Sequence, residues 1–264
     1  MSHGFRTILL EREGPTACVS LARPEVHDAF DERMVEEVAE AFRTLGEDDT
    51  ARVVLIRSKG KSFCAGADLN WMRRMADQAE SENREDAGLL EEMFRAIATC
   101  PKPVVARVQG AAFGGGAGIV AACDLAIAST EAKLAFTEVR LGILPAVISP
   151  YVLRKVAAGP AQALFLTGEI VSAQRCVELG LFHRVVPPMD LDGAVDAAIQ
   201  NLLHGSPVAQ AAVKRLMREV EGQSLEDAAT STTEAIAAAR ASDDGREGMT
   251  AFLEKRKPKW APGS

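Results

Sequence analysis

Three consecutive glycines, Gly114 to Gly116, stand between an apolar run and a small-residue stretch typical of a helix, in the segment VQGAAFGGGAGIVAACDLAIAS (108–129). Glycine inside an element costs about 0.5–1 kcal/mol relative to alanine, so such a run indicates a positive φ angle or a close approach of the backbone to another group. A tight turn, close helix packing and a backbone N–H cradle for a ligand are all consistent with the run. A helix N-terminus following it is a general site for anions.

Strands and helices alternate around this segment. Short β-branched runs at 17–24 and 52–58 flank a stretch at 31–45 whose apolar residues recur at helical spacing behind Asp31, a typical N-cap. Further elements follow in the same alternation: a helix at 83–98, strands at 104–110, 124–129 and 133–136, and a helix at 172–180 that leads into another strand.

The character of the chain changes after Pro188, where the segments become alanine-rich and helical. Ser206 and Pro207 fit the cap and first position of one of these helices, and Gly222 fits its end. The sequence therefore predicts an α/β core over residues 1–190 and a C-terminal helical region over 191–264.

Charge and cysteine usage exclude several classes of protein. Lys plus Arg is 30 and Asp plus Glu is 37, and the resulting net charge of −7 argues against a general binder of nucleic acid or of anionic membranes. The five cysteines lack disulfide or zinc spacing, which predicts core thiols in a reducing compartment and no metal site. Neither a signal-peptide pattern nor an apolar stretch of about 18 residues is present, so we expect a cytoplasmic protein without a membrane segment.

Two interpretations of a backbone cradle compete. Gly116 to Ala121 fits the dinucleotide fingerprint G-x-G-x-x-A, with Glu138 about 20 residues further on, although the preceding glycines are superfluous for such a turn. The alternative uses a second glycine turn in SFCAGADLNWM (62–72), which also opens a helix. Two such turns can present two N–H groups to one oxygen, which is the geometry of an oxyanion hole. A serine hydrolase is disfavoured because G-x-S-x-G is absent.

Three ordered motifs carry a resemblance that covers nearly the whole chain. SFCAGADL, the glycine-rich segment and AFTEVRLGILP (135–145) resemble the crotonase (enoyl-CoA hydratase/isomerase) superfamily, and SLARPEVHDAF (20–30) and AFLEKRKPKW (251–260) resemble its first and last segments. The resemblance implies an α/β fold, the crotonase (ClpP-like) ββα superhelix with a C-terminal helical region. It also implies a homotrimer or a hexamer built as a dimer of trimers, and an acyl-CoA thioester as substrate.

The resemblance also implies the site residues. The backbone N–H groups of Ala67 and Gly115 would form the oxyanion hole, and Glu138 would be the general acid and base. A second family glutamate falls at position 118, where this chain has Gly118. Asp68 is expected mainly as a helix cap. The residues expected to bind the acyl chain or coenzyme A are Arg23, Val26, Ala65, Ala67, Asp68, Leu69, Trp71, Gly114, Gly115 and, from a neighbouring subunit, Phe252 and Lys255.

Three functions follow from these residues. Hydration of a 2-enoyl-CoA is the first, and GADLNWMRRMA and LGILPAVISPYV resemble the branch that hydrates 3-methylglutaconyl-CoA in leucine breakdown. A double-bond isomerase is the second, because moving a proton between two carbons needs one carboxylate. A non-catalytic acyl-CoA or RNA binding homologue is the third, although the acidic charge counts against RNA. We expect no cofactor apart from the coenzyme A that enters within the thioester.

Overall fold

The structure is a computed structural model that describes residues 4–263. Its β-strands form two sheets. The strands in chain order are β1 (Ile8–Glu13), β2 (Thr16–Leu21), β3 (Val53–Ser58), β4 (Val104–Val108), β5 (Ala111–Phe113), β6 (Leu125–Ser129), β7 (Lys133–Ala135), β8 (Val171–Ser172) and β9 (Arg184–Val186).

Helices connect these strands and form the whole C-terminal region. The α-helices in chain order are α1 (Glu32–Glu47), α2 (Leu69–Asp77), α3 (Glu80–Thr99), α4 (Gly115–Ala122), α5 (Ser149–Leu153), α6 (Ala158–Thr167), α7 (Ala173–Glu178), α8 (Leu191–Leu203), α9 (Pro207–Glu219), α10 (Leu225–Ala241) and α11 (Asp243–Leu253). Short 3-10 helices lie at Pro24–Val26, Glu138–Leu141 and Pro188–Asp190. None of the helices described between residues 4 and 263 is both long and apolar enough to cross a bilayer.

The larger sheet has six strands in the order β1-β2-β3-β4-β6-β9. Only β1 and β2 pair antiparallel, and every later neighbour is parallel. Parallel neighbours need crossover connections, which explains the alternation of strands and helices along the sequence. The smaller sheet, with the order β5-β7-β8, stands beside the first turn of α4. The predicted α/β class is thus confirmed.

The inner strands β2 and β3 are buried almost throughout, and their side chains alternate between the two faces of the sheet. In β3, Val54 and Ile56 join the main core, to which α1 and α3 contribute their apolar faces. Val53 and Leu55 point to the opposite face, where a second core forms against α8. The helix α8 follows the boundary predicted at residue 190, and it shares this core with the sheet, whereas α9 and α10 bury none of their residues within the chain.

Local signals placed several elements correctly. Asp31 caps α1 by accepting a hydrogen bond from Met34 N at 3.0 Å, and Ser206 caps α9 in the same way. The helix predicted at 83–98 is α3, which begins three residues earlier. The strands β1, β5 and β8 are not among the predicted elements, and β5 and β8 are defined by their pairing with β7 in the smaller sheet. All five cysteines are buried and unpaired.

Candidate active site

The turn after β3 leaves the N–H of Ala67 without a partner. Phe30 N donates to Gly66 O and Asp68 N donates to Phe30 O, both at 2.9 Å. In such a parallel bridge the residue between the two bonded groups directs its own N–H to the opposite side. Ala67 N–H therefore points away from Phe30, and among residues 4–263 no acceptor for it is found.

The glycine run forms the second turn. Gly114 has φ +51° and donates its N–H to Ala135 O of β7 at 2.8 Å. Gly115 is the first residue of α4, where the backbone N–H has no acceptor within the helix. Within the described chain this N–H also has no other partner. The positive φ of Gly114 thus turns the chain so that α4 begins with the free backbone N–H of Gly115.

The two turns touch each other. Gly66 has φ +94°, and a Cβ placed there would lie 2.9 Å from Phe113 O and 3.8 Å from Gly115 N. The structure therefore places the turn that carries the free N–H of Ala67 directly beside the turn that carries the free N–H of Gly115. Two preorganised backbone donors beside a helix N-terminus can stabilise negative charge on one oxygen.

Glu138 lies next to this pair of donors. It follows β7 and opens a 3-10 turn, and its Oε1 would lie 3.4 Å from a Cβ on Gly114. Its Oε2 is buried and has no hydrogen-bond partner in the described part of the chain. Burial raises the pKa of this carboxyl above its ordinary value. The side chain as a whole is half-buried, and a carboxylate with one buried, unsatisfied oxygen is costly for stability, so a chemical role is the simplest reason for it.

The position of the second family glutamate is closed by apolar side chains. A Cβ on Gly118 would lie 2.3 Å from Ile148 Cγ2 and 3.0 Å from the ring of Phe94. Both side chains are almost fully buried, at 4% and 1% exposure. Gly118 is therefore required by close packing, and the space where a second carboxylate would stand belongs to the core.

Gly115 is required by a different contact. A Cβ there would lie 2.3 Å from Phe30 Cζ, well inside van der Waals contact. The ring of Phe30 therefore leaves no space for a side chain at this position.

Asp68 and Arg23 form a partly buried ion pair at the start of α2. Asp68 caps α2 through Asn70 N and Trp71 N, as expected, and Arg23 Nη2 contacts its Oδ2 at 2.9 Å. Arg23 Nη1 also donates to Ala29 O at 2.7 Å and lies 3.3 Å from Asp31 Oδ2. Capping and the Arg23 charge hold the pKa of Asp68 below its ordinary value against the effect of burial. The Arg23 guanidinium thus already has internal partners, and its predicted contact with coenzyme A stays a prediction.

The other predicted binding residues have varied surroundings. Ala65 and Leu69 are exposed beside the first turn, and Val26 is half-buried in the turn at Pro24–Val26. Trp71 is fully buried and packs edge-on against Phe30. Phe252 is 83% exposed at the end of α11, and Lys255 follows it with φ +55°. Their predicted role in a neighbouring subunit stays a prediction.

Other reactive groups do not converge on this site. The thiol of Cys64 lies in the chain segment that enters the first turn, but burial raises its pKa to about 12, which keeps it protonated at neutral pH. His183 accepts a hydrogen bond from Ala126 N through Nδ1 at 3.0 Å. Within residues 4–263 no three His, Cys, Asp or Glu side chains cluster closely enough to hold a metal ion.

A large cavity lies elsewhere in the described chain. It has a volume of about 850 Å³ and separates α9 from the C-terminal end of α4, with Lys155 and Lys214 on its polar side. Neither Glu138 nor the two free N–H groups line it. The site is therefore assigned from its donors and carboxylate and not from cavity size.

Comparison with known proteins agrees with this geometry. The sequence profile of the Enoyl-CoA hydratase/isomerase family matches residues 11–263. A crystal structure of an enoyl-CoA hydratase from Shewanella pealeana superposes with a TM-score of 0.93 at 38% identity, over 97% of this chain and 96% of that one. The crotonyl-CoA hydratase of Syntrophomonas wolfei is 33% identical over 96% of this chain and 97% of its own. The trans-2-decenoyl-[acyl-carrier-protein] isomerase of Streptococcus mutans is 31% identical over 97% and 98%.

The fold is thus the α/β crotonase fold. The chain belongs to the enoyl-CoA hydratase/isomerase family, whose members similar to this chain include both hydratases and an isomerase.

Sequence reasoning missed Phe30, Phe94 and Ile148. Each acts on the site through a contact with a glycine that is distant in sequence, at Gly115 or Gly118. No local pattern reports such a contact, so only the folded structure reveals it.

Proposed function

We propose that this protein hydrates a 2-enoyl-CoA thioester, with Ala67 N–H and Gly115 N–H as the oxyanion hole and Glu138 as the proton carrier. The observation that carries the proposal is the buried Oε2 of Glu138, which has no partner in the described chain and belongs to a side chain beside the glycine turn of Gly115 N–H. Hydratases among the similar proteins support the same activity.

The two donors act on the thioester oxygen. Hydrogen bonds from Ala67 and Gly115 draw electron density toward that oxygen, which makes C3 of the enoyl group electrophilic. As negative charge develops on the oxygen, the donors and the N-terminus of α4 stabilise it, and one such donor contributes about 3–4 kcal/mol.

A single carboxylate can complete the addition of water. Glu138 accepts a proton from water while the water oxygen forms its bond to C3, and the π electrons move to the thioester oxygen. The protonated Glu138 then returns that proton to C2 as the carbonyl re-forms. Oxygen and both hydrogens of one water are accounted for, and Glu138 ends as the carboxylate it was. The raised pKa of Glu138 suits this role, because a stronger base accepts the proton more readily.

A branched, 3-methylglutaconyl-CoA-like substrate is the finer part of the proposal. Such a substrate carries a second carboxylate, which needs a cation. Arg140 lies two residues after Glu138, is exposed, and has no ion-pair partner among the described residues. We expect the change Arg140→Gln to raise KM for 3-methylglutaconyl-CoA and to leave KM for crotonyl-CoA unchanged.

An isomerase is the second candidate, and the packing at Gly118 favours it. A site with one carboxylate is sufficient to remove a proton from C2 of a 3-enoyl-CoA and deliver it to C4. The donors at Ala67 and Gly115 would stabilise the intermediate enolate in the same way.

The deciding experiment supplies 3-methylglutaconyl-CoA in H₂¹⁸O and follows the products by mass spectrometry. One ¹⁸O in a hydroxyacyl product supports the hydratase. Turnover of a 3-enoyl-CoA to a 2-enoyl-CoA without label supports the isomerase. No turnover with either substrate, together with tight thioester binding, supports the non-catalytic acyl-CoA binding homologue. RNA binding would appear as a gel shift that weakens steeply with salt.

We further propose that the chain works as a homotrimer or hexamer without a cofactor. The proton steps above balance without a redox group or metal, and coenzyme A enters as part of the substrate. The C-terminal helices support self-association, because α9 and α10 bury none of their residues and expose Met217, Leu225 and Ile236. Light scattering on a sizing column measures the assembly, and a monomer would contradict this part.

A further inference from the structure

Phe30 contacts both turns of the proposed oxyanion hole. Its backbone holds the first turn through the bonds to Gly66 O and from Asp68 N, which direct Ala67 N–H into the site. Its ring supports the second turn, because its Cζ and Cε1 would lie 2.3 and 2.7 Å from a Cβ on Gly115. One buried residue, with 2% of its surface exposed, therefore spans the two donors.

Neighbouring groups hold Phe30 in place from both ends. The ring packs edge-on against Trp71, with centroids 6.0 Å apart and planes at 67°. Trp71 is itself fixed by α2 and by the contact of its Nε1 with Asp86 Oδ2 at 3.3 Å. At the backbone end, Arg23 Nη1 donates to the carbonyl of Ala29 at 2.7 Å. The ring of Phe30 and the peptide group before it are thus each held by contacts with neighbouring groups.

We propose that Phe30 is a positioning residue that sets the separation of the Ala67 and Gly115 N–H groups. An oxyanion hole requires both donors within about 2.7–3.1 Å of one oxygen, and a misplacement of about 1 Å can cost 100-fold in rate. The backbone of Phe30 fixes the Ala67 N–H, and the thickness of its ring fixes how closely the N-terminus of α4 approaches the turn of Ala67. This inference rests on the proposed function, because the two N–H groups matter only if they bind the thioester oxygen.

The first test uses the chromophoric thioester 4-(dimethylamino)cinnamoyl-CoA, whose absorption band moves to longer wavelength when its carbonyl is polarised. The band position is measured on the full-length protein saturated with this probe. The kcat is measured in a separate assay with the enoyl-CoA that the protein turns over. We expect Phe30→Leu to lose most of the red shift and about 10- to 100-fold in kcat, with KM changed less than about threefold. The control Phe42→Leu removes the same ring from a buried position in α1 and should keep both the shift and kcat.

Each outcome has one meaning. A full red shift and wild-type kcat in Phe30→Leu overturn the inference and leave the proposed function intact. Absence of a red shift in the wild-type complex overturns the oxyanion hole and this inference together. If Phe30→Leu does not fold, Phe30→Met replaces it, since the unbranched side chain fills similar space, and the same readings apply.

The second test exploits the contact with Gly115. The change Gly115→Ala should abolish the red shift, because its methyl group collides with the Phe30 ring. In the double variant Phe30→Ala/Gly115→Ala the methyl has space, so we expect kcat equal to that of Phe30→Ala within about threefold. If the loss of kcat in the double variant equals the product of the losses in Phe30→Ala and Gly115→Ala, the two residues act independently. That result would overturn the inference.

Discussion

Two sides of helix α4 differ in the groups that face them. On one side, Glu138 places a half-buried carboxylate, whose buried Oε2 has no partner in the described chain, beside Gly114. On the other side, Gly118 faces Ile148 and Phe94, and no space is left for a side chain. Of these two sides, only the one at Glu138 carries a carboxylate, and this difference supports the proposed mechanism with one proton carrier.

Removal of the charge on the Glu138 side should have the largest effect. The change Glu138→Gln keeps the shape of the side chain and removes its ability to accept a proton, so we expect kcat to fall by about 10²–10⁴-fold. Binding of a saturated acyl-CoA, measured by titration calorimetry, should change little because the two N–H groups remain. Full activity in this variant would refute the proposed mechanism.

A side chain introduced at position 118 should lower the stability of the fold. We expect Gly118→Ala to lower the free energy of unfolding by about 1–3 kcal/mol through overpacking against Ile148. Gly118→Glu should cost more, because it also buries an unpaired charge. The matched control is Gly159→Ala in α6, where a Cβ meets nothing within 4 Å and helix propensity favours alanine. Denaturant unfolding measures all three, and equal stability of the two alanine variants would contradict the packing argument.

The cap and ion pair at Asp68, which follows Ala67 in the chain, should contribute a smaller amount. Asp68→Ala removes the N-cap of α2 and the partner of Arg23, and we expect a loss of about 1–2 kcal/mol of stability together with lower kcat. Ser224→Ala removes a similar cap from α10, whose residues are not buried, so it tests the cap without touching the site. Equal kcat in both variants would show that Asp68 stabilises the helix and does not position Ala67.

The pH dependence should show the smallest effect. Burial raises the pKa of Glu138. The apparent pKa on the acid side of the pH profile of kcat/KM should therefore lie above the ordinary glutamate value of 4.5. A raised folded pKa also means that the wild type binds more protons when folded, so its stability falls as pH rises from 4.5 through the folded pKa. Glu138→Gln should therefore be more stable than the wild type at neutral pH, with the difference vanishing below pH 4.5. A constant difference across this range would contradict the burial of a charged group.

Much of the fold follows from local patterns. The apolar spacing of α1 behind Asp31, the cap at Ser206 and the buried strand β3 are all visible in the sequence, because capping and periodicity act over a few residues. The short strands β5 and β8 escape such patterns, since their pairing with β7 depends on residues far away in the chain.

The sequence by itself determined the order of the glycine turns, the place of Glu138 after them and the absence of a glutamate at position 118. Only the tertiary structure decided which side chains pack against these glycines. It shows that Phe30 stands against Gly115 and that Ile148 and Phe94 close the space at Gly118. The physical reason is that motifs record local backbone requirements, whereas close packing between distant segments leaves no periodic trace in the sequence.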